Sequence, residues 1–159
     1  PNDENKKVQT FELDVSDWLN TNGKDIKLSD LRGKVVLIEV FQMLCPACVT
    51  HSLPQAQRLS NQFRGSDKLC VLGLHSVFEQ HSAMGKESLQ AMLSEFRYDF
   101  PVGIDRHADG DRLPETMKKY NLKGTPSLIL IDQNGKLVET IFGVIDDLVL
   151  GVKIGRLLS

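Results

Sequence analysis

The sequence predicts an α/β domain: a central mixed β-sheet flanked by helices on both faces, with an N-terminal extension. Three observations carry this. The chain has 159 residues, 41% of them hydrophobic, which fits one full core with little to spare. From Lys34 onward, β-branched apolar runs alternate with helical periodicities, the pattern of a mostly parallel sheet covered on both sides. Near the end, Asn134-Gly135 separates two apolar runs, the strongest short-range hairpin signal, and adds an antiparallel edge.

Each element follows in turn. Residues 1–33 read as an extended lead-in packed on the domain formed by 34–159, with turn signals at Asn22-Gly23 and Asp30-Leu31-Arg32-Gly33. Lys34 to Phe41 is a near-continuous apolar run suited to a central strand. Cys45 to about Phe63 reads as a helix interrupted at Pro54, and Leu69 to Leu74 as a second buried strand. Leu89, Met92, Leu93 and Phe96 fall at i, i+3, i+4 and i+7, one stripe of an amphipathic helix. Pro101 to Ile104 is a short strand, Leu113 to Tyr120 a short helix, and Ser127–Ile131 with Leu137–Phe142 the hairpin. A last helix opens on Asp146-Asp147 and carries Lys153 and Arg156 late, both favourable to its dipole.

Composition removes several functions. Nineteen basic and twenty-one acidic residues give a net charge of −2, with no Lys/Arg run to track a nucleic-acid backbone. No apolar stretch approaches the ~18 residues that a membrane span needs. The polar start, Pro1 to Lys7, does not read as a signal peptide, so a cytoplasmic protein is expected, the alternative being the periplasmic mature domain of a longer exported one. Three cysteines are too few for a disulfide scaffold.

Two of those cysteines carry the chemistry. Cys45-Pro46-Ala47-Cys48 lies where a buried strand ends and a helix begins. A thiol there faces unpaired amides and the positive end of the helix dipole, which favour the thiolate and make Cys45 the candidate nucleophile. Pro46 suits the first turn, where its missing N–H costs nothing. Cys48, one turn on, can resolve the mixed disulfide that Cys45 forms. The plainer reading is half of a zinc site with His51 and Cys70 as partners; helical spacing turns His51 away and no second C-x-x-C exists, so no metal is expected. Cys70 sits in an apolar strand and reads as an inert core thiol, and His51, His75, His81 and His107 as surface or satisfied residues.

Two further positions stand out. Glu39 interrupts the strand six positions before Cys45, where a partly buried carboxyl could exchange the proton of Cys48; the plainer reading is an acid with its head in water. Gly124-Thr125-Pro126 precedes the penultimate strand. A proline at a strand entrance is ordinary, but with an upstream C-x-x-C it suggests a cis-proline loop facing the two sulfurs.

With these residues in place, the sequence resembles the thioredoxin-like superfamily, most closely the TlpA/ResA-like thiol-disulfide oxidoreductases of the redoxin (AhpC/TSA-related) group. The matching stretches are Leu31 to Leu37, Cys45 to Cys48, Phe100 to Asp105, Gly124 to Ser127 and Ile131 to Lys136. Trp18 to Thr21 and Gly73 to Ser76 look like a redoxin branch whose members are often fused to larger proteins. The resemblance implies a thioredoxin-like fold, Cys45 as nucleophile, Cys48 as resolving thiol, Glu39 as the buried acid and Pro126 as the cis-proline. It further implies that Pro46, Ala47 and Thr125 meet the substrate. The redox-active disulfide Cys45–Cys48 would be the only redox group, with no separate cofactor. The expected partners are a disulfide-containing protein or small molecule and a recycling reductant, and a monomer is expected.

Two departures mark the sequence. Leu44 stands where the family usually has an aromatic residue, and Pro54 lies six rather than five residues after Cys48, an extra residue that could form a π-bulge. The rival reading, a thiol peroxidase, would resemble Pro-x-x-x-Thr/Ser-x-x-Cys. Anchored on Cys45 those positions hold Ile38 and Gln42, and anchored on Cys48 they hold Phe41 and Cys45, so the pattern fails both ways. A non-catalytic binding module would not need both sulfurs and Pro126.

Overall fold

In the computed structural model, which describes residues 10–159, the strand that leads to the cysteines is the most deeply buried element: all seven residues of β2 (Val35–Phe41) are buried. It lies inside a six-stranded sheet whose other members are β1 (Val15–Leu19), β3 (Leu69–His75), β4 (Val102–Asp105), β5 (Ser127–Ile131) and β6 (Leu137–Phe142), in the order β1-β4-β3-β2-β5-β6. Four helices complete the domain: α1 (Leu53–Gln62), α2 (Lys86–Glu95), α3 (Glu115–Lys119) and α4 (Asp147–Leu158). None of the described helices is long and apolar enough to cross a membrane.

Strand alternation divides the core into two layers. Val35, Leu37 and Phe41 face one way and pack with Cys48, Leu53, Ala56, Leu89, Leu93, Leu150 and Ile154, so α1, α2 and α4 cover that side. Val36, Ile38 and Val40 face the other way, against Leu13, Trp18, Leu28 and Tyr120 of the N-terminal segment and the end of α3. Helices therefore lie on both faces, as expected.

The sheet is less parallel than the sequence suggested. Only β2–β3 and β3–β4 are parallel; β2–β5, β5–β6 and β1–β4 are antiparallel. The chain enters β5 at the end where β4 left the sheet and runs back, so β5 lies antiparallel to β2.

The lead-in also contributes more than an extended wrap. Its residues Val15–Leu19 form β1, which pairs with β4 and closes that edge of the sheet. Gly103 lies under Trp18, so a Cβ there would sit 3.2 Å from the indole. Residues 1–9 of the expected extension lie outside the described residues. At the other edge the Asn134-Gly135 turn forms as expected: Gly135 has φ +77° and leaves room only for the Arg32 guanidinium, which donates to the Asn134 carbonyl at 2.6 Å.

Candidate active site

β2 ends at Phe41, and the chain makes a short turn through Gln42–Leu44 before the helix begins at Pro46. Cys45 sits at that junction, half-buried, and its amide closes the turn on the Gln42 carbonyl at 3.0 Å. The Cys48 amide donates to Cys45 Sγ at 3.4 Å, so the first sulfur receives one of the free N–H groups of the helix start. Cys48 itself is fully buried, and burial, reinforced by the neighbouring Cys45 sulfur, pushes its thiol up. Both are free thiols in this structure.

The residues from Cys48 to Ser52 form a π-helical turn, the bulge that the late position of Pro54 suggested. Because the extra residue is absorbed there, Pro54 falls in the first turn of α1, and the helix is not interrupted at it. The wider turn also aims His51 away from the sulfurs. His51 Nε2 lies 2.9 Å from the Ile145 carbonyl, which Gln55 Nε2 also reaches at 3.0 Å. Among the described residues no three His, Cys, Asp or Glu side chains gather closely enough to hold a metal ion.

Glu39 is buried outright, at 1% exposure, as the resemblance implied and deeper than its strand position alone suggested, and its head is not in water. Strand alternation puts it on the face of Leu37 and Phe41, in the same layer as Cys48. Neither carboxyl oxygen has a hydrogen-bond partner among the described residues. Burial, and then the electrostatic influence of the Cys45 sulfur, push the carboxyl well above its ordinary value of 4.5.

The Thr125–Pro126 peptide bond is cis, and the loop lies against the first sulfur: the Cys45 thiol donates to the Thr125 carbonyl at 3.7 Å. Pro126 is held from the other side by the Gly143 amide, which donates to its carbonyl at 2.8 Å. The structure thus brings Cys45, Cys48, Glu39 and the Thr125–Pro126 loop into one site, with Pro46 and Ala47 on the first helical turn. Leu44, at the position where the family it resembles usually has an aromatic residue, is 55% exposed on its rim.

Two neighbours were given no role in the site by the sequence, where His75 read as a surface or satisfied residue. His75 is buried and accepts the Met43 amide on Nε2 at 3.1 Å, and Gln42 is buried and accepts the Phe78 amide on Oε1 at 3.1 Å. Their only sequence signal is position: polar side chains at the ends of two adjacent apolar strands. Cys70 is partly buried, on the strand face away from the site with Leu72 and Leu74.

This exposure pattern sets an expected labelling order. Under brief iodoacetamide treatment at neutral pH, Cys45 should react at least about tenfold faster than Cys48, which is buried, or Cys70, because a thiol that desolvation holds in its protonated form is a poor nucleophile. Peptide mapping reads the order directly, and faster labelling of Cys48 would reverse the two roles.

A sheet of this order, with a dithiol at the start of the helix after its central strand and a cis-proline opposite, defines the thioredoxin-like fold. Comparison places the chain within it: a family model described as Redoxin matches residues 3–148, and the protein belongs to the Redoxin family. Two solved structures are similar over nearly all of their length. One is a thioredoxin-like superfamily protein at 50% identity and TM-score 0.89, covering 96% of each chain. The other is a thiol-disulfide isomerase from Corynebacterium glutamicum at 49% identity and TM-score 0.90, covering 96% of this chain and 97% of that one. Among curated proteins, NHL repeat-containing protein 2 of Gallus gallus is 26% identical over 147 residues, 87% of this chain but 19% of that protein. The thiol-disulfide oxidoreductase ResA of Bacillus subtilis (strain 168) is 25% identical over 128 residues, 80% of this chain and 64% of its own. The chain therefore spans about a fifth of the NHL repeat-containing relatives that it matches.

Proposed function

We propose that the protein is a thiol-disulfide oxidoreductase that exchanges a Cys45–Cys48 dithiol or disulfide with disulfide-containing proteins or small molecules. The supporting observation is the pairing of a reachable sulfur, which receives a helix-start amide, with a buried second sulfur in the layer that holds an unpartnered acid. The ResA and thiol-disulfide isomerase names of similar proteins support the same reading.

In the reducing direction the Cys45 thiolate attacks one sulfur of the substrate disulfide. A Cys45–substrate S–S bond forms, the substrate S–S bond breaks, and the departing thiolate takes a proton. With Glu39 in its carboxylate form, having released its own proton, Cys48 gives its proton to Glu39 and attacks Cys45 Sγ, forming the Cys45–Cys48 disulfide and releasing the second substrate thiolate, which takes a proton from water. The substrate gains two electrons and the protein loses two; an external thiol reductant restores the dithiol by the reverse steps. Pro46, Ala47 and Thr125 form the wall that the substrate meets. The cytoplasm is the proposed compartment, with the periplasm as the alternative.

With dithiothreitol as reductant, the purified protein should accelerate insulin disulfide reduction and turn over hydrogen peroxide only slowly. Precipitation of the insulin B chain and loss of peroxide measure the two rates side by side. Fast peroxide consumption with no insulin reduction would replace this reading with the peroxidase one.

A further inference from the structure

The turn that delivers Cys45 is tied down by side chains from outside the C-x-x-C. Phe41 and His75 stand opposite each other at the ends of two parallel strands, and their rings lie 5.1 Å apart. From there the two chains leave the sheet together. The Ser76 amide donates to the Phe41 carbonyl at 3.0 Å. Gln42 Oε1 accepts the Phe78 amide at 3.1 Å and the Glu79 amide at 3.4 Å, while Gln42 Nε2 donates to Glu79 Oε1 at 3.4 Å. In the opposite direction, the Met43 amide donates to His75 Nε2 at 3.1 Å. Each segment thus lends a buried polar side chain to the backbone of the other.

We infer that His75 is a positioning residue for the redox site: as a neutral imidazole accepting the Met43 amide, it locks the Gln42–Leu44 turn and so sets where Cys45 Sγ sits against the Cys48 amide. The inference rests on the exchange chemistry proposed above, and it gives His75 a task that the C-x-x-C, Glu39 and Pro126 do not perform. The plainer alternative is a buried histidine that only fills space beside Phe41.

The physical case is one of accounting for donors. Buried backbone amides need partners. The Met43 amide lies in a turn, outside any helix or strand, and its side-chain partner is His75. An imidazole can accept on Nε2 only when its proton is on Nδ1, and burial lowers the His75 imidazole to about 4, so the accepting form prevails at neutral pH. Three residues of chain separate Phe41, the last residue of the strand, from Cys45, and the middle one is Met43. A turn freed at Met43 moves the sulfur that follows it, and shifts of about 1 Å at a reacting atom can cost about 10²-fold in rate.

Two substitutions separate positioning from packing. His75→Phe keeps a ring against Phe41 and removes the acceptor; His75→Gln can present its amide oxygen where Nε2 stood. On the reduced protein, iodoacetamide labelling of Cys45 should slow about tenfold in His75→Phe and return to within about twofold of wild type in His75→Gln. The Cys45–Cys48 reduction potential should move with the same ranking, while circular dichroism shows both variants folded. Wild-type labelling by His75→Phe, or equal slowing in both variants, overturns the inference. If His75→Phe does not fold, the wild-type protein still decides: ¹⁵N NMR should show His75 as the Nδ1–H tautomer, with Met43 N–H coupled across the hydrogen bond to Nε2. A proton on Nε2 overturns it. Labelling and NMR need no disulfide substrate, so a failed insulin assay would sink the proposed function without touching this result.

Discussion

Cys48→Ser is expected to stop at a mixed disulfide carried on Cys45. The first attack needs only the half-buried sulfur at the helix start, and the substitution leaves that sulfur in place. The second step needs a thiol one helical turn away and already inside the core. Well-placed intramolecular groups act at effective concentrations on the order of 10⁵ M or more, which no thiol in solution approaches. Release should therefore slow by several orders of magnitude. Intact-mass spectrometry after mixing with a model disulfide should find one equivalent of adduct in Cys48→Ser and none in Cys45→Ser. An adduct on Cys48 in the Cys45→Ser protein would mean that the buried sulfur is the nucleophile.

The second large effect concerns Glu39, where two outcomes come from one substitution. The resolving thiol is held in its protonated form by burial, and Glu39 is the one ionisable side chain between Lys34 and Cys45. General acid–base help is typically worth about 10²–10⁴-fold. Glu39→Gln should slow release of the mixed disulfide by about that factor, and the initial attack by Cys45 much less. Stopped-flow separation of the two steps across about pH 6 to 9 tests this, and an unchanged resolving rate would assign the proton to another route. The same carboxyl also shapes stability. Its raised folded-state value means that the folded chain keeps a proton which the unfolded chain releases above its ordinary value of 4.5. That contribution is fully present below the unfolded value and is lost as pH rises through the folded one, so wild-type stability falls with pH in this window. Glu39→Gln removes the slope. At alkaline pH the variant should melt higher than wild type, by roughly 2–4 °C for each kcal/mol gained, and calorimetry at several pH values reads the crossing.

Much of this was legible in the chain because it rests on local patterns. A β-branched run marks β2 wherever it packs, and a C-x-x-C that follows it can only sit at a strand-to-helix junction. Against the spacing usual in the family it resembles, the extra residue between Cys48 and Pro54 pointed to the π turn. The rest depended on contacts between distant residues. Val15–Leu19 has no apolar run of its own, since Ser16 and Asp17 break it, and it becomes a strand through pairing with residues 102–105. The direction of β5 is set by its pairing with β2 and β6, which no local pattern reports. Glu39 looked half-wet in the sequence because nothing there reports that both layers close over the middle of β2. His75 acquires its meaning only when Phe41 is seen beside it.

The depth of the second sulfur has one more consequence. On the proposed chemistry, Cys48 has no surface of its own, so every electron pair enters and leaves the molecule through Cys45. Donor and acceptor must share that single doorway and take turns at it. The protein therefore cannot be a conduit that holds both partners at once; it is a shuttle that departs from one before it can greet the other.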